Sequence, residues 1–156
     1  MRGPDSEILA DIARRAGQAI LAVRRQGFAV TTKADDTPLT TADTRSSRCI
    51  LDGLAAAFPD LPVLCEETRP ESAAIRAAWR RCFVVDPLDG TKEFARGRDD
   101  FCVCLALVED GRLVFGVIAA PVADTLYWGG PGLGAWRRRG VQPARPIRAA
   151  PPVAAG

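Results

Sequence analysis

The amino-acid sequence predicts an α+β fold in which two N-terminal helices pack on a mainly antiparallel sheet. Two stretches near the N-terminus repeat apolar residues at helical spacing, and after them the pattern changes to short apolar segments. Some of these segments are joined by turn sequences of the hairpin kind, such as Glu109-Asp110-Gly111. Helices followed by hairpin-linked strands indicate an α+β layer arrangement and not a doubly wound parallel sheet.

The two helices are predicted from apolar spacing and from the residues at their ends. The first begins at about Ser6, with Asp5 or Ser6 as its cap, and Gly27 ends it. Residues 30–41 are rich in Thr, Asp and Pro, so we expect either a loop or a short ribbon there. The second helix covers residues 42–58 and places its apolar side chains on one face.

Short apolar runs then predict the strands of the sheet, with a short helix between the first two at Glu71–Trp79. The predicted strands are 61–65, 82–85, 101–108, 113–122, 125–128 and 134–137. Within the third strand we expect Cys102 and Cys104 to act as small apolar groups of the core. From residue 137 onward apolar periodicity is lost, and we expect residues 141–156 to be a linker-like tail beside a domain of residues 1–140.

The length and the amino-acid composition of the chain limit the classes of function that it can have. A chain of 156 residues holds one core, and its net charge of +2 gives no indication of a nucleic acid polymer as partner. Five cysteines without a CxxC pair argue against a disulfide framework and a zinc ribbon, so we expect reduced thiols and a cytoplasmic location. No apolar run approaches the roughly 18 residues of a membrane span, and the N-terminus lacks the features of a signal peptide.

The chain contains no histidine, which excludes the Ser-His-Asp and Cys-His arrangements of nucleophilic catalysis. Any chemistry must therefore come from carboxylates, hydroxyls, lysine or a metal. Lys33 is interpreted either as a solvated loop charge or as a lysine facing a phosphate, with the former favoured.

Acidic residues follow the ends of two apolar segments: Glu66 after 61–65, then Asp86 and Asp89 after 82–85. If these strands are neighbours in one sheet, the acidic ends converge, and oxygen ligands without histidine suit Mg²⁺ or Mn²⁺. The proline between the two aspartates lets both face one point, with the Leu88 carbonyl aimed at the same metal. Gly90 and Thr91 can then offer backbone N–H groups to a phosphate. Taken alone, D-P-x-D-G is more often an ordinary turn.

Three motifs in this order, KADDTPLTTAD, LCEET and DPLDGTKEF, resemble the metal-dependent, lithium-sensitive phosphatases of the inositol monophosphatase superfamily. The Lys-Glu-Phe continuation of the third motif is similar to the CysQ-type 3'(2'),5'-bisphosphate nucleotidases within that superfamily. The resemblance implies the first half of an αβαβα sandwich. It further implies hydrolysis of the 3'(2')-phosphate of adenosine 3',5'-bisphosphate in sulfur metabolism, with a small phosphorylated nucleotide as partner. Inositol-1-monophosphatase activity is the alternative within the family.

The resemblance also implies roles for single residues. Glu66, Asp86, Leu88 and Asp89 would hold the metal ions, two or more Mg²⁺ with Mn²⁺ as the substitute. Thr91 would orient the attacking water, Asp43 would hold the Thr91 hydroxyl, and Glu66 would share in activating the water. Phosphate would lie against Asp89, Gly90 and Thr91, with Glu66 and Leu88 counted among the substrate-binding residues. From its position alone, Asp43 serves equally well as a helix cap.

Members of this family are longer and carry a second α/β half with a Trp-Asp-x-Ala-Ala-Gly motif. No tryptophan here precedes an aspartate, so we expect that half to be absent and the isolated chain to bind Mg²⁺ weakly, with little or no activity. Two hypotheses follow: the N-terminal portion of a phosphatase, which we favour, or a non-catalytic metal- or nucleotide-binding module. A homodimer and peripheral membrane association are both left open.

Overall fold

Two long helices lie against one face of a mainly antiparallel sheet, as the sequence predicts. The computed structural model describes residues 3–26, 30–32 and 38–149. The helices are α1 Gly3–Gln26, α2 Thr41–Ala57, α3 Ala73–Ala77 and α4 Thr91–Ala95. Among the described residues, no helix has both the length and the apolar character needed to cross a membrane.

Seven strands form the main sheet, and their spatial order is their order along the chain. They are β3 Val63–Cys65, β4 Arg81–Asp89, β5 Cys102–Glu109, β6 Arg112–Ala120, β7 Thr125–Gly130, β8 Gly134–Arg139 and β9 Arg145–Ile147. The pair β3–β4 is parallel, and every later neighbouring pair is antiparallel. The parallel pair places the C-terminal end of β3 beside Val85 of β4, directly before Asp86.

The N-terminal region confirms the two predicted helices and refines their surroundings. The helix α1 begins at Gly3 and not at Ser6, and Pro4 is tolerated in its first turn because the N–H that proline lacks has no helical partner there. A second, small sheet pairs β1 Val30–Thr32 with β2 Pro38–Thr40, so a ribbon forms where a loop was the alternative. Gly27 and Lys33 lie outside the described residues.

The core lies between the two long helices and one face of the sheet. Alternation along β4, β5 and β6 buries every second side chain, as expected for a half-covered sheet. The largest fully buried side chains include Phe83, Phe115, Leu105, Ile20 and Leu54. Burial of this apolar set at about 25 cal/mol per Å² holds the helix layer on the sheet.

Two segments are more regular than the sequence analysis indicates. The strand β4 does not stop at Val85 but continues through the motif to Asp89, with an irregularity in its pairing to β5. Residues 145–147, within the segment expected to be linker-like, pair with β8 as the edge strand β9. Both segments contain a proline, which a sheet accepts at a bulge or at an edge.

The other face of the sheet is open in the described part of the chain. It forms a concave groove of about 850 Å³ whose walls are almost entirely apolar. Val84, Ile118 and Tyr127 line the groove and are more than a third exposed. Glu66 and Asp86 border the same groove, so the acidic residues lie at the margin of the open face.

Candidate metal and phosphate site

The parallel pairing of β3 and β4 brings the acidic residues of the two strands together. Cys65 is the register partner of Val85, and the Glu66 N–H donates to the Val85 carbonyl at 3.2 Å. Glu66 and Asp86 therefore follow equivalent positions on neighbouring strands. This is the convergence predicted from the sequence.

An irregularity in β4 sets the spacing of the two aspartates. Asp86 pairs with Cys104 and Asp89 with Cys102, so three steps along β4 match two steps along β5. The extra residue bends the strand, as in a β-bulge. Within the bulge, the Leu88 N–H donates to the Asp86 carboxylate at 3.1 Å, which fixes the turn around Pro87.

A buried serine holds this segment against the helix layer. The Ser46 hydroxyl, on α2 and fully buried, donates to the Pro87 carbonyl at 2.7 Å. Sequence reasoning missed Ser46. The available signal was a pair of polar residues, Ser46 and Ser47, three and four positions after Asp43 and so on one face of α2.

The turn after β4 begins a helix that the sequence analysis did not predict. Gly90 has a φ of +89° at the N-cap of α4. The Thr91 hydroxyl donates to the Leu88 carbonyl at 2.8 Å. This hydrogen bond connects α4 to the bulge. The Leu88 carbonyl oxygen has a second lone pair, so it can still accept another contact.

Asp43 is the third residue of α2 and is only 3% exposed. A carboxylate at this position complements the positive end of the helix dipole. Because α2 packs on β4 and contacts β2, Asp43 is held in the helix layer that covers the sheet.

The electrostatics of the cluster centre on Asp86. Burial is the largest influence on its carboxyl, followed by the charge of Glu66, and with a smaller effect from Asp89 these raise the pKa of Asp86 to about 6. The hydrogen bond from the Leu88 N–H acts in the opposite direction. Three carboxyl groups thus lie close together, and it is costly for all three of them to be ionised at once.

This arrangement fits a bound divalent cation. Glu66, Asp86 and Asp89 supply oxygen ligands, which hard cations such as Mg²⁺ prefer. A cation would offset the burial and the repulsion that together raise the pKa of Asp86. The Leu88 carbonyl lies in the same bulge.

The cysteines of β5 are placed differently from the sequence expectation. Phe101, Val103 and Leu105 point into the core, but Cys102 and Cys104 lie on the opposite face and are half-buried. They are therefore not core groups. A hydrogen bond with Cys102, burial and the charges of Asp89 and Asp86 raise the pKa of the Cys104 thiol.

The charged residues after Thr91 lie in α4. Glu93 forms ion pairs with Arg96 at 3.0 Å and Arg98 at 2.7 Å, and Lys92 is exposed. The charge of Glu93 is therefore balanced by these two arginines.

Comparison with known proteins shows the family to which the chain is related. The family model described as "Inositol monophosphatase family" matches residues 4–153. The chain is 41% identical over 149 residues to the 3'(2'),5'-bisphosphate nucleotidase CysQ of Salmonella typhimurium, covering 94% of this chain and 60% of that protein. The solved structure of CysQ from Bacteroides thetaiotaomicron matches with a TM-score of 0.74 and 35% identity, over 88% of this chain and 50% of that one.

A second solved structure, the extragenic suppressor protein SuhB from Bartonella henselae, matches with a TM-score of 0.78 and 29% identity, over 88% of this chain and 53% of that chain. The chain thus spans about 60% of the length of the CysQ relative and about half of each solved structure. The match to the family model extends over nearly the whole sequence and includes every acidic residue of the site. The chain therefore belongs to the inositol monophosphatase family.

Proposed function

We propose that the protein to which this chain belongs hydrolyses phosphomonoesters with the help of divalent cations. The observation that carries the proposal is the convergence of Glu66, Asp86 and Asp89 where the end of β3 meets the bulge of β4. The half-buried carboxylate of Asp86, with two other carboxylates beside it, is costly to ionise unless a cation offsets its charge.

In this proposal each residue of the site has a distinct task. Glu66, Asp86, Asp89 and the Leu88 carbonyl hold Mg²⁺, or Mn²⁺ in its place. Bound divalent ions supply a water of lowered pKa and neutralise charge on the attacking and leaving oxygens. Thr91 and Asp43 orient that water, and the backbone N–H groups at Gly90 and Thr91 bind the phosphate.

The proposed substrate is supported by the relatives. The identity of 41% to a 3'(2'),5'-bisphosphate nucleotidase supports adenosine 3',5'-bisphosphate as the substrate. A role in sulfur assimilation and a cytoplasmic location belong to the same proposal. Inhibition by Li⁺ is part of the same proposal. Because the chain spans about 60% of that relative, the activity is proposed for the whole protein and not for these residues alone.

The first experiment measures cation binding by the chain itself. Titration with Mn²⁺, followed by electron paramagnetic resonance, should give saturable binding that Asp86→Asn abolishes. Asp110→Asn is the matched control, because Asp110 is exposed, pairs with Arg80 and lies outside the cluster. Equal binding by both variants would contradict the metal site.

The second experiment measures phosphate release. The chain is joined to the part of Salmonella typhimurium CysQ that lies beyond the matched region, and the fusion is assayed with Mg²⁺, with and without Li⁺. Adenosine 3',5'-bisphosphate should be hydrolysed faster than inositol 1-phosphate, and Asp86→Asn should remove the activity. A fusion that folds and binds Mn²⁺ but hydrolyses neither substrate would overturn the proposed function.

A further inference from the structure

Two thiols lie beside the acidic cluster without a role in the proposed phosphatase chemistry. Cys102 and Cys104 are separated by one residue on β5, so their side chains lie on the same face of the sheet. That face is the open one, and both thiols are half-buried. Thiols that served only as packing groups would be expected within the closed core, where Val103 and Leu105 lie.

The register of β4 and β5 places an acidic residue opposite each thiol. Asp86 is the partner of Cys104, and Asp89 is the partner of Cys102. The bulge in β4 makes this double pairing, because without the extra residue Asp89 would be out of step with Cys102. The two carboxylates and the two thiols therefore lie next to one another on β4 and β5.

The distances within this area match those of a metal site. The two sulfur atoms are 3.6 Å apart, and the Cys102 sulfur is 3.8 Å from an oxygen of Asp89. One ligand atom from each of Asp89, Cys102 and Cys104 lies within 4.8 Å of the other two. A tetrahedral zinc ion with Zn–S bonds of about 2.3 Å needs a sulfur–sulfur separation of about 3.8 Å. Little rearrangement would be required.

The type of ligand decides which ion fits. Two thiolates and one carboxylate suit a thiophilic divalent cation such as Zn²⁺, whereas Mg²⁺ prefers oxygen alone. Three protein ligands leave a fourth position for water, and Asp89 is exposed enough for an ion to enter. The proposed site is therefore not fully enclosed by the protein.

We propose that Cys102, Cys104 and Asp89 form a binding site for a thiophilic divalent cation, which adjoins the proposed Mg²⁺ site and shares Asp89 with it. The cation displaces one proton from each thiol as the two metal–sulfur bonds form. The proposal goes beyond the phosphatase function and does not require it.

The test is a titration of the 156-residue chain with Co²⁺ as a spectroscopic substitute for Zn²⁺, in the presence of a phosphine reductant. We expect one equivalent of Co²⁺ to produce a sulfur-to-metal charge-transfer band, and Zn²⁺ to remove it by displacement. Millimolar Mg²⁺ should leave the band unchanged. Cys102→Ser and Cys104→Ser should each weaken Co²⁺ binding by at least about tenfold, since loss of even an outer-sphere partner costs that much.

Cys82→Ser is the matched control, because Cys82 is also a half-buried thiol but pairs with Val108, away from Asp86 and Asp89. Its Co²⁺ band should equal that of the wild type. In the unaltered chain, Zn²⁺ should protect Cys102 and Cys104 from alkylation, read by peptide mass spectrometry, and leave Cys82 reactive.

Absence of the charge-transfer band, or equal protection of all three thiols, would overturn the thiol site. Failure of the phosphatase proposal would instead show in Mn²⁺ binding and phosphate release, so the two outcomes are distinguishable. Circular dichroism of each variant separates a lost ligand from a lost fold.

Discussion

The carboxyl group of Asp86 connects the fold of this chain to its chemistry. It lies between Glu66 and Asp89, is half-buried, and receives a hydrogen bond from the Leu88 N–H. One hydrogen bond does not outweigh burial and two like charges, so the pKa of Asp86 rises to about 6. In the absence of cations the charged form of Asp86 is therefore a cost to the folded state.

The raised pKa gives a pH dependence of stability in the metal-free chain. A pKa of about 6 in the folded state lies above the usual value of 3.8 for an aspartate, so the folded state binds the proton more tightly. The stabilisation is complete below about pH 4 and is lost as the pH rises through about 6. We expect the cost to be on the order of 1–2 kcal/mol at pH 7, discounted for partial exposure.

Urea unfolding with a chelator present, at several values between pH 4 and pH 7, checks this prediction in the wild type and in Asp86→Asn. The difference in unfolding free energy should move in favour of Asp86→Asn as the pH rises. Glu66, Asp89 and Cys104 face Asp86 and are the same in both proteins. A constant difference across the pH range would contradict the assigned electrostatics.

The turn between β4 and α4 shows how neighbouring elements fix the position of the site. Arg24, in the last turn of α1, donates to the Gly97 carbonyl at 2.8 Å and pairs with Asp99 at 2.8 Å. Its guanidinium also lies 5.7 Å from the centre of the Phe101 ring. The loop before β5 is thereby held, and Gly90 packs directly against this loop.

Gly90 and Gly97 both have a positive φ. A comparison of alanine substitutions at the two positions therefore measures the effect of the packing around Gly90. A Cβ on Gly90 would lie 2.6 Å from the Asp100 carbonyl oxygen, whereas a Cβ on Gly97 would meet nothing within 4 Å. Gly97→Ala should cost about 1–2 kcal/mol from the left-handed backbone alone. Gly90→Ala should cost about 1–3 kcal/mol more, because the backbone must also shift.

Chemical denaturation of the two variants checks the stability difference, and Mn²⁺ titration checks whether the site moves with the turn. We expect Gly97→Ala to bind Mn²⁺ like the wild type and Gly90→Ala to bind it more weakly. Equal stability of the two variants would show that the close approach to Asp100 is not a constraint.

The same elements show what could be predicted from sequence. Helical spacing located α1 and α2, and the acidic residues after two apolar runs located the cluster, because both signals are local. The continuation of β4 through Pro87 and the strand β9 around Pro146 were missed, since proline is accepted at bulges and edges that only pairing reveals. The face of Cys102 and Cys104 was also missed, because it depends on the register between strands.

At the scale of the whole molecule, the sheet has two unlike faces. One is covered by α1 and α2 and forms the core, and the other is an apolar groove of about 850 Å³ with the candidate site at its margin. An apolar surface of this kind is uncommon on an isolated soluble domain and favours association.

The exposed groove predicts that the isolated chain binds apolar dyes and associates with itself. Ile118 is 44% exposed in the groove and pairs with Tyr127 across β6 and β7, so Ile118→Lys should introduce a charge into the middle of the apolar surface. We expect this change to lower anilinonaphthalene sulfonate fluorescence and to shift sedimentation towards the monomer.

Val141→Lys is the control, because Val141 is fully exposed outside the groove, so its substitution should leave both measurements unchanged. Since Ile118 contributes little to the closed core, its substitution should change the free energy of unfolding by less than about 1 kcal/mol. If both variants lowered dye binding equally, added positive charge and not the groove would account for the effect, because only the groove distinguishes the two positions.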